Sequence, residues 1–394
     1  MPPRSRPKTS YAVGILLLIA LVDELVGSGM DASWPLIQNE LGLSYSQIGL
    51  CMGLPALVSG LVDPFTSVLG DTGRRRLVVL VGGLAFAGAL LLRSASPSYM
   101  LLLFSLVLFY PASGAFVNLS QASLMDLDPA KREVNMARWT FLGSTGMVAG
   151  PLLLGGFLLL GFSWRHLFLA AGCMSLFVAM WQWRVVSQHE NDPVSFRQVL
   201  DTIVDAFRTK GVLRWLLLIQ AGDLMVDLLM AFLALYFVEV GRVSPAQAAL
   251  AVSVWTGVGL VGDFLLIPLL SRIKGLVYLR ASAGIMLLLF PSFLLVPWFW
   301  LKLVLVGLLG FFNSGWYAIL QAQVFAALPD RSGTAVALFN LSCLGGALIP
   351  ILLGVIAESF GLSVSMWLLM LGPLALLVGI KKAHFVQDDS LAAS

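Results

Sequence analysis

The sequence predicts an all-α integral membrane protein, with twelve transmembrane helices arranged in two pseudo-symmetric halves of six. Composition is the first ground for this. Hydrophobic residues make up 59% of the 394-residue chain and charged residues 11%, against roughly 45–50% and roughly 25% in soluble domains. The second ground is segment length: nearly the whole chain falls into apolar runs of the about 20 residues that cross a hydrocarbon core as helix. The third is an internal repeat. A shift of 200 residues places Asp23 on Asp223, Ser44-x-x-Gln47 on Ser244-x-x-Gln247, Asp63 on Asp263 and Gln121-Ala122 on Gln321-Ala322, and a shift of 199 places Pro151 on Pro350. Repeats of this kind mark secondary transporters whose halves rock around a midplane site. Soluble enzymes and nucleic-acid binders are excluded, and a net charge of +3 gives no global attraction to a polyanion.

The elements follow in order, each bounded by charges, Gly/Pro or Ser clusters. Arg4, Arg6 and Lys8 precede an apolar run at 11–36. It contains Asp23 and Glu24 and outlasts the roughly 7–15-residue core of a secretion signal, so it is read as the first span. Spans at 45–69, 77–96, 99–125, 136–161 and 165–185 complete the first half, 1–185. A polar connection then carries Glu190, Asp192, Arg197, Asp201, Asp205, Arg208 and Lys210, and reads as a cytoplasmic linker at 186–212. The second half, 213–394, holds spans at 213–238, 246–270, 276–297, 301–327, 333–358 and 363–381 and a short cytoplasmic tail. With both termini inside, twenty of the Lys and Arg residues fall on the cytoplasmic side. Only Arg93, Arg165, Arg242 and Lys302 fall outside, a strong positive-inside bias. Trp298-Phe299-Trp300 then sits at the outer headgroup level.

A charge near the bilayer centre costs at least a few kcal/mol, so intramembrane ionisable residues are functional candidates. Here all are acidic: Asp23, Glu24 and Asp31 in span one, Asp63 in span two, Asp223 and Asp227 in span seven, and Asp263 in span eight. With no Lys or Arg mid-span, they have no evident internal counter-ion. Desolvation favours the neutral form of such a carboxyl, which can then load and release protons near neutral pH. Glu24 and Asp31 share one helix face, and Asp223 and Asp227 share another. The expected proton and substrate site therefore holds Asp23, Glu24, Asp31, Asp223 and Asp227, with Asp31 alternatively hydrated near the outer surface. Asn118, Gln121 and Gln321 orient substrate or bond between helices. Trp316, like Trp255, stacks on a cationic ligand or packs. Asp63 and Asp263, each near a proline, suit a paired job of satisfying freed backbone or latching the halves. Asp71, Arg74 and Arg75, with Arg138 and Arg331, form a gate of charge-assisted pairs made in one rocking state, or anchor the chain to anionic lipid headgroups. Gly146, Gly150 and Gly155, around Pro151, fall at a spacing that lets helix backbones approach closely.

Other chemistry is not indicated. Cys51, Cys173 and Cys343 are isolated in apolar segments, and His166, His189 and His384 lie at segment ends or in loops, so neither a disulfide framework nor a metal site is expected. No phosphate loop or nucleophile-base pair stands in the sequence. No cofactor and no enzymatic activity are expected, and an ion or substrate gradient is the driving force.

These residues resemble the major facilitator superfamily. Ser67-Val-Leu-Gly-Asp71-Thr-Gly73-Arg74-Arg75-Arg76 is similar to that family's signature between helices two and three. It departs in carrying Ser67 for the leading glycine and one residue fewer between Asp71 and Gly73. Gly146-x-x-x-Gly150-Pro151-Leu-Leu-Leu-Gly155-Gly156 resembles the antiporter motif of the family's drug exporters, with one extra residue after Pro151, and Gly161-Phe-Ser-Trp164-Arg165 resembles the usual start of helix six. The stretch Gly42 to Gly49 is similar to fosmidomycin-resistance-type exporters. The resemblance implies a cavity lined by helices one and seven. It also implies proton-coupled efflux of small apolar or cationic compounds by a monomer in a bacterial cytoplasmic (inner) membrane, with protons and membrane lipid as its other partners. A nutrient uniporter or symporter, an organic-anion exporter and a non-transporting receptor or scaffold are the alternatives. For the organic-anion reading, Arg138 and Arg165 are the first basic residues to test.

Overall fold

The computed structural model describes residues 7–71, 75–127, 132–183, 211–270, 272–327 and 344–380. The regular elements among them are all helical. The chain runs through α1 (Pro7–Leu41), α2 (Tyr45–Asp71), α3 (Arg75–Ala95), α4 (Tyr99–Ser113), a π-helical turn (Gly114–Asn118), α5 (Leu119–Leu127), α6 (Arg132–Leu159) and α7 (Trp164–Gln182). It continues through α8 (Val212–Asp223), a second π-helical turn (Leu224–Leu228), α9 (Leu229–Glu239), α10 (Pro245–Leu270), α11 (Gly275–Leu295), α12 (Phe299–Asn313), α13 (Trp316–Ala327), α14 (Leu348–Phe360), α15 (Leu362–Leu368) and α16 (Leu371–Gly379). Among the described residues, 11 helical stretches are long and apolar enough to cross a membrane, and a shorter apolar helix covers Leu344–Phe360. The expected span at 333–358 begins outside the described residues.

The outward surface fits a lipid solvent. Leu159 is 82% exposed, Val378 80% and Phe264 72%, part of an apolar surface that water would penalise and acyl chains do not. Bilayer solvation also explains the helices themselves, since each helix satisfies its backbone groups internally.

The chain divides into two compact units. The first takes residues 1–196 with 245–253 and 343–355, and the second takes 197–244, 254–342 and 356–394. In the first unit α1 packs along α6, and α3 packs on α7 and α4. The α1–α6 contact is a backbone contact. A Cβ at Gly146 would collide with the Leu21 carbonyl, and one at Gly150 with the Leu25 carbonyl and Ser28 Oγ. Gly155 is looser, at 3.9 Å from Ala249. Phe86, Phe116, Phe168, Trp34 and Trp164 fill the core of this unit, with Phe86 stacked 4.6 Å from Phe109. In the second unit Phe232, Tyr236, Phe237, Phe290 and Phe293 do the same, and Arg214 and Arg280 donate to the carbonyls of Gly379 and Ile380 at the end of α16.

Candidate functional site

In the first unit a polar node forms where α1, α2 and the α4 break meet. Asp23 is half-buried on α1, and Ser113 Oγ donates to its Oδ1 at 2.9 Å. Ser113 ends α4, and the π turn Gly114–Asn118 begins at the next residue. Such widened turns recur at functional sites. On α2, Ser59 Oγ donates to Asp63 Oδ2 at 2.8 Å, while Asp63 Oδ1 is buried with no hydrogen-bond partner and presses on Gly114, where a Cβ would collide with it. Glu24 turns the other way. Its Cγ lies 3.4 Å from where a Cβ on Gly143 of α6 would stand, so the two adjacent acids of α1 address different helices.

The second unit builds a related node from repeat-matched positions. The π turn Leu224–Leu228 interrupts the seventh span between α8 and α9. Asn313, 200 residues after Ser113, donates from Nδ2 to the Met225 carbonyl inside that turn at 2.9 Å. The tenth span breaks between α12 and α13 at Gly315, whose φ of 74° is left-handed and suits only glycine without strain. Asp263, the repeat partner of Asp63, accepts the N–H of Gly315 at 3.1 Å. In each unit, then, the acid of one helix meets the irregular backbone of another, and a side chain at that break bonds the helix carrying the candidate acids. Asp223, which ends α8, is half-buried, and Asp227, inside the π turn, is exposed.

The other expected residues scatter. Asp31 lines a cavity with Trp34, Cys51, Arg93 and Tyr110. Asn118 is exposed, and Gln121 and Gln321 are half-buried. Trp316 is fully buried and donates its indole N–H to Ser282 at 2.9 Å, which ties α13 to α11. Trp255 is likewise buried. Of the gate, Arg74 and Arg331 lie outside the described residues, as does the side chain of Asp71; Arg75 is buried and Arg138 exposed. Among the described residues no group of three His, Cys, Asp or Glu is placed to hold a metal.

Two buried cations were not foreseen. Arg93 and Lys302, expected on the outer side, are only 1% and 4% exposed. Lys302 is fully engaged: Nζ donates to Tyr236 Oη at 2.7 Å and to the Phe293 carbonyl at 3.0 Å. The guanidinium of Arg93 lies between the rings of Phe109 and Phe168, 4.6 and 5.0 Å from their centroids. The sequence did carry a signal. Arg93 extends the stripe Val79, Gly82, Phe86, Leu90 at helical spacing on the buried face of α3, so it belongs to the inward face despite its place near the helix end. Arg165, by contrast, is committed at the surface, paired with Glu40 at 2.8 Å and donating to the Ser94 carbonyl at 2.9 Å.

Comparison with known proteins places the fold. The sequence profile described as "Major Facilitator Superfamily" matches residues 16–350. The quinolone resistance protein NorA of Staphylococcus aureus is 20% identical over 288 residues, 73% of this chain and 70% of that protein. The purine ribonucleoside efflux pump NepI of Salmonella typhimurium is 28% identical over 183 residues, which is 45% of this chain and 44% of the pump. Among solved structures, an inward-facing, occupied bacterial homologue of the human lysosomal transporter Spinster aligns with TM-score 0.76 at 16% identity, covering 95% of this chain and 97% of that one. The nucleoside transporter NupG aligns with TM-score 0.73 at 13% identity, over 95% of this chain and 98% of that one.

Proposed function

The chain belongs to the Major Facilitator Superfamily, and from that premise we propose that it is a proton-coupled exporter of small organic compounds working by alternating access. The observation that carries this reading is the bond from Ser113 to Asp23 at the start of the π turn. Protonating a carboxyl removes its charge and changes what it accepts, so proton binding at Asp23 alters the hold of α4 on α1. Asp223 and Asp227 beside the second π turn supply the corresponding acids in the other unit. Similarity to a purine ribonucleoside efflux pump and to a quinolone resistance protein supports export. The acidic faces favour cationic or apolar cargo, since an unpaired anion gains nothing beside them. We read the chain as a monomer in a bacterial inner membrane, in keeping with its family, and the twenty-to-four distribution of Lys and Arg favours cytoplasmic termini.

The test is purified protein in liposomes under an imposed pH gradient, with lumenal pH recorded while cationic, neutral and anionic compounds are added. Substrate-driven proton movement supports the reading; substrate movement with no pH response overturns proton coupling and leaves the uniporter or symporter alternative. A second reading, organic-anion export, gains from Arg93. With Arg165 occupied by Glu40, Arg93 rather than Arg165 is the basic residue to test for it.

A further inference from the structure

The first unit contains a cavity of about 100 Å3, lined by Gly27, Met30, Asp31 and Trp34 of α1, Cys51 and Met52 of α2, Arg93 of α3 and Leu106, Phe109 and Tyr110 of α4. That is well above the about 10–15 Å3 needed to admit a water, so small polar groups can enter it. Two donors on its wall stand out. Arg93 is 1% exposed and Trp34 2%, and Arg93 Nε, Arg93 Nη2 and Trp34 Nε1 are all buried without a hydrogen-bond partner.

The pattern at Arg93 is specific. Nε–H and Nη2–H form the side edge of the guanidinium fork, the pair that takes both oxygens of one carboxylate in a bidentate bond. The Arg93 guanidinium carbon lies over the rings of Phe109 and Phe168, contacts that offer the N–H groups no oxygen acceptor. Burying two guanidinium N–H groups without an acceptor is costly. Lys302 in the second unit, equally buried, has both a hydroxyl and a carbonyl for its charge. Arg93 instead lines the cavity with two of its nitrogens unpartnered, and Trp34 lines it with its indole N–H unpartnered.

We infer that this cavity is a binding subsite for the carboxylate of a small monoanionic or zwitterionic solute, gripped by the Arg93 fork and Trp34. Asp31 lines the same cavity, and its charge sets the subsite against a second negative group on the ligand. The inference is independent of proton coupling: binding is read without any gradient, so its failure and the failure of coupled export are separate results.

The experiment is titration of the full chain in lipid nanodiscs with propionate, alanine, succinate and ethylammonium, read by calorimetry and by tryptophan fluorescence. Propionate and alanine should bind saturably, and ethylammonium should not. Succinate should bind at least about tenfold more weakly than propionate. Arg93→Lys keeps the charge but loses the bidentate fork and should weaken propionate and alanine at least about tenfold. Arg93→Gln should weaken them further, and Trp34→Phe, which keeps a buried ring and removes only the donor, should weaken them by a smaller factor. Equal affinity in wild type and in monodisperse Arg93→Lys protein would overturn the assignment, as would no saturable binding of either carboxylate to wild type. Succinate binding as tightly as propionate would overturn the monoanion restriction. Should both Arg93 variants fail to fold, a Trp34→Phe protein that binds propionate as tightly as wild type, without its fluorescence response in the wild type, overturns the subsite.

Discussion

Asp23 and Asp223 carry the same chemistry in different local settings, and single-atom changes separate charge from contact. Asn at position 23 still presents a carbonyl oxygen to the Ser113 hydroxyl, so Asp23→Asn removes the titratable group while leaving the α1–α4 bond available. We expect Asp23→Asn and Asp223→Asn each to fold, to bind ligand and to reduce substrate-driven acidification or alkalinisation in liposomes to background; wild-type rates in both would remove them as coupling sites. Ser113→Ala makes the opposite cut, losing the hydrogen bond and keeping the acid. Interhelical hydrogen bonds in membranes average about 0.6 kcal/mol, so thermal unfolding in detergent should show a small loss, while substrate-driven proton movement should fall because proton binding at Asp23 no longer acts on α4 through this bond. A loss above about 2 kcal/mol would mean that the serine holds more than this one bond.

At the scale of elements, the two spans broken near Gly114 and Gly315 assign different duties to matched acids. Asp263 accepts a backbone N–H freed by the break at Gly315, which is an acceptor's job and needs no proton exchange. Asp263→Asn should therefore cost no more than about 0.5 kcal/mol, whereas Asp263→Ala strands the N–H and should cost about 1 kcal/mol or more, both read from unfolding in detergent; equal losses would contradict the acceptor role. The glycine contact between α1 and α6 gives a sharper contrast. Gly150→Val drives a branched side chain into the Leu25 carbonyl and Ser28 and should destabilise by about 1–3 kcal/mol. Gly156→Ala meets nothing within 4 Å and should be tolerated within about 0.5 kcal/mol. The spans themselves were legible because bilayer thickness dictates their length and composition. Neither π turn was, for a buried helix in lipid is apolar on every side and carries no period from which an extra residue could be read. The burial of Arg93 and Lys302 was not legible for a related reason. Position along a span says how deep a side chain sits but not whether it faces lipid or protein, and only the stripe on α3 held that information. Ser113 and Asn313 escaped because a lone hydroxyl or amide in an apolar run looks the same whether it bonds its own turn or a neighbouring helix.

For the molecule as a whole, the repeat and the basic distribution make topology the decisive measurement. Reporters fused after Asn39, Ser98, Gly241 and Trp298 should lie outside, and those after Arg76, Gly211 and Lys382 inside. An odd number of crossings would break the two-halves reading. The glycine seam along α1 and α6 also bears on how the protein meets its lipid. Where the Leu21 and Leu25 carbonyls stand against Gly146 and Gly150, no acyl chain can wedge between the two helices, so this pair is solvated only on its outer sides. Thicker or thinner bilayers can then change the tilt of the pair but not its separation. Lateral pressure acts on it as on a single thick rod, and Asp23 and Glu24, carried on that rod, keep their distance from the α6 backbone whatever the chain length of the surrounding lipid.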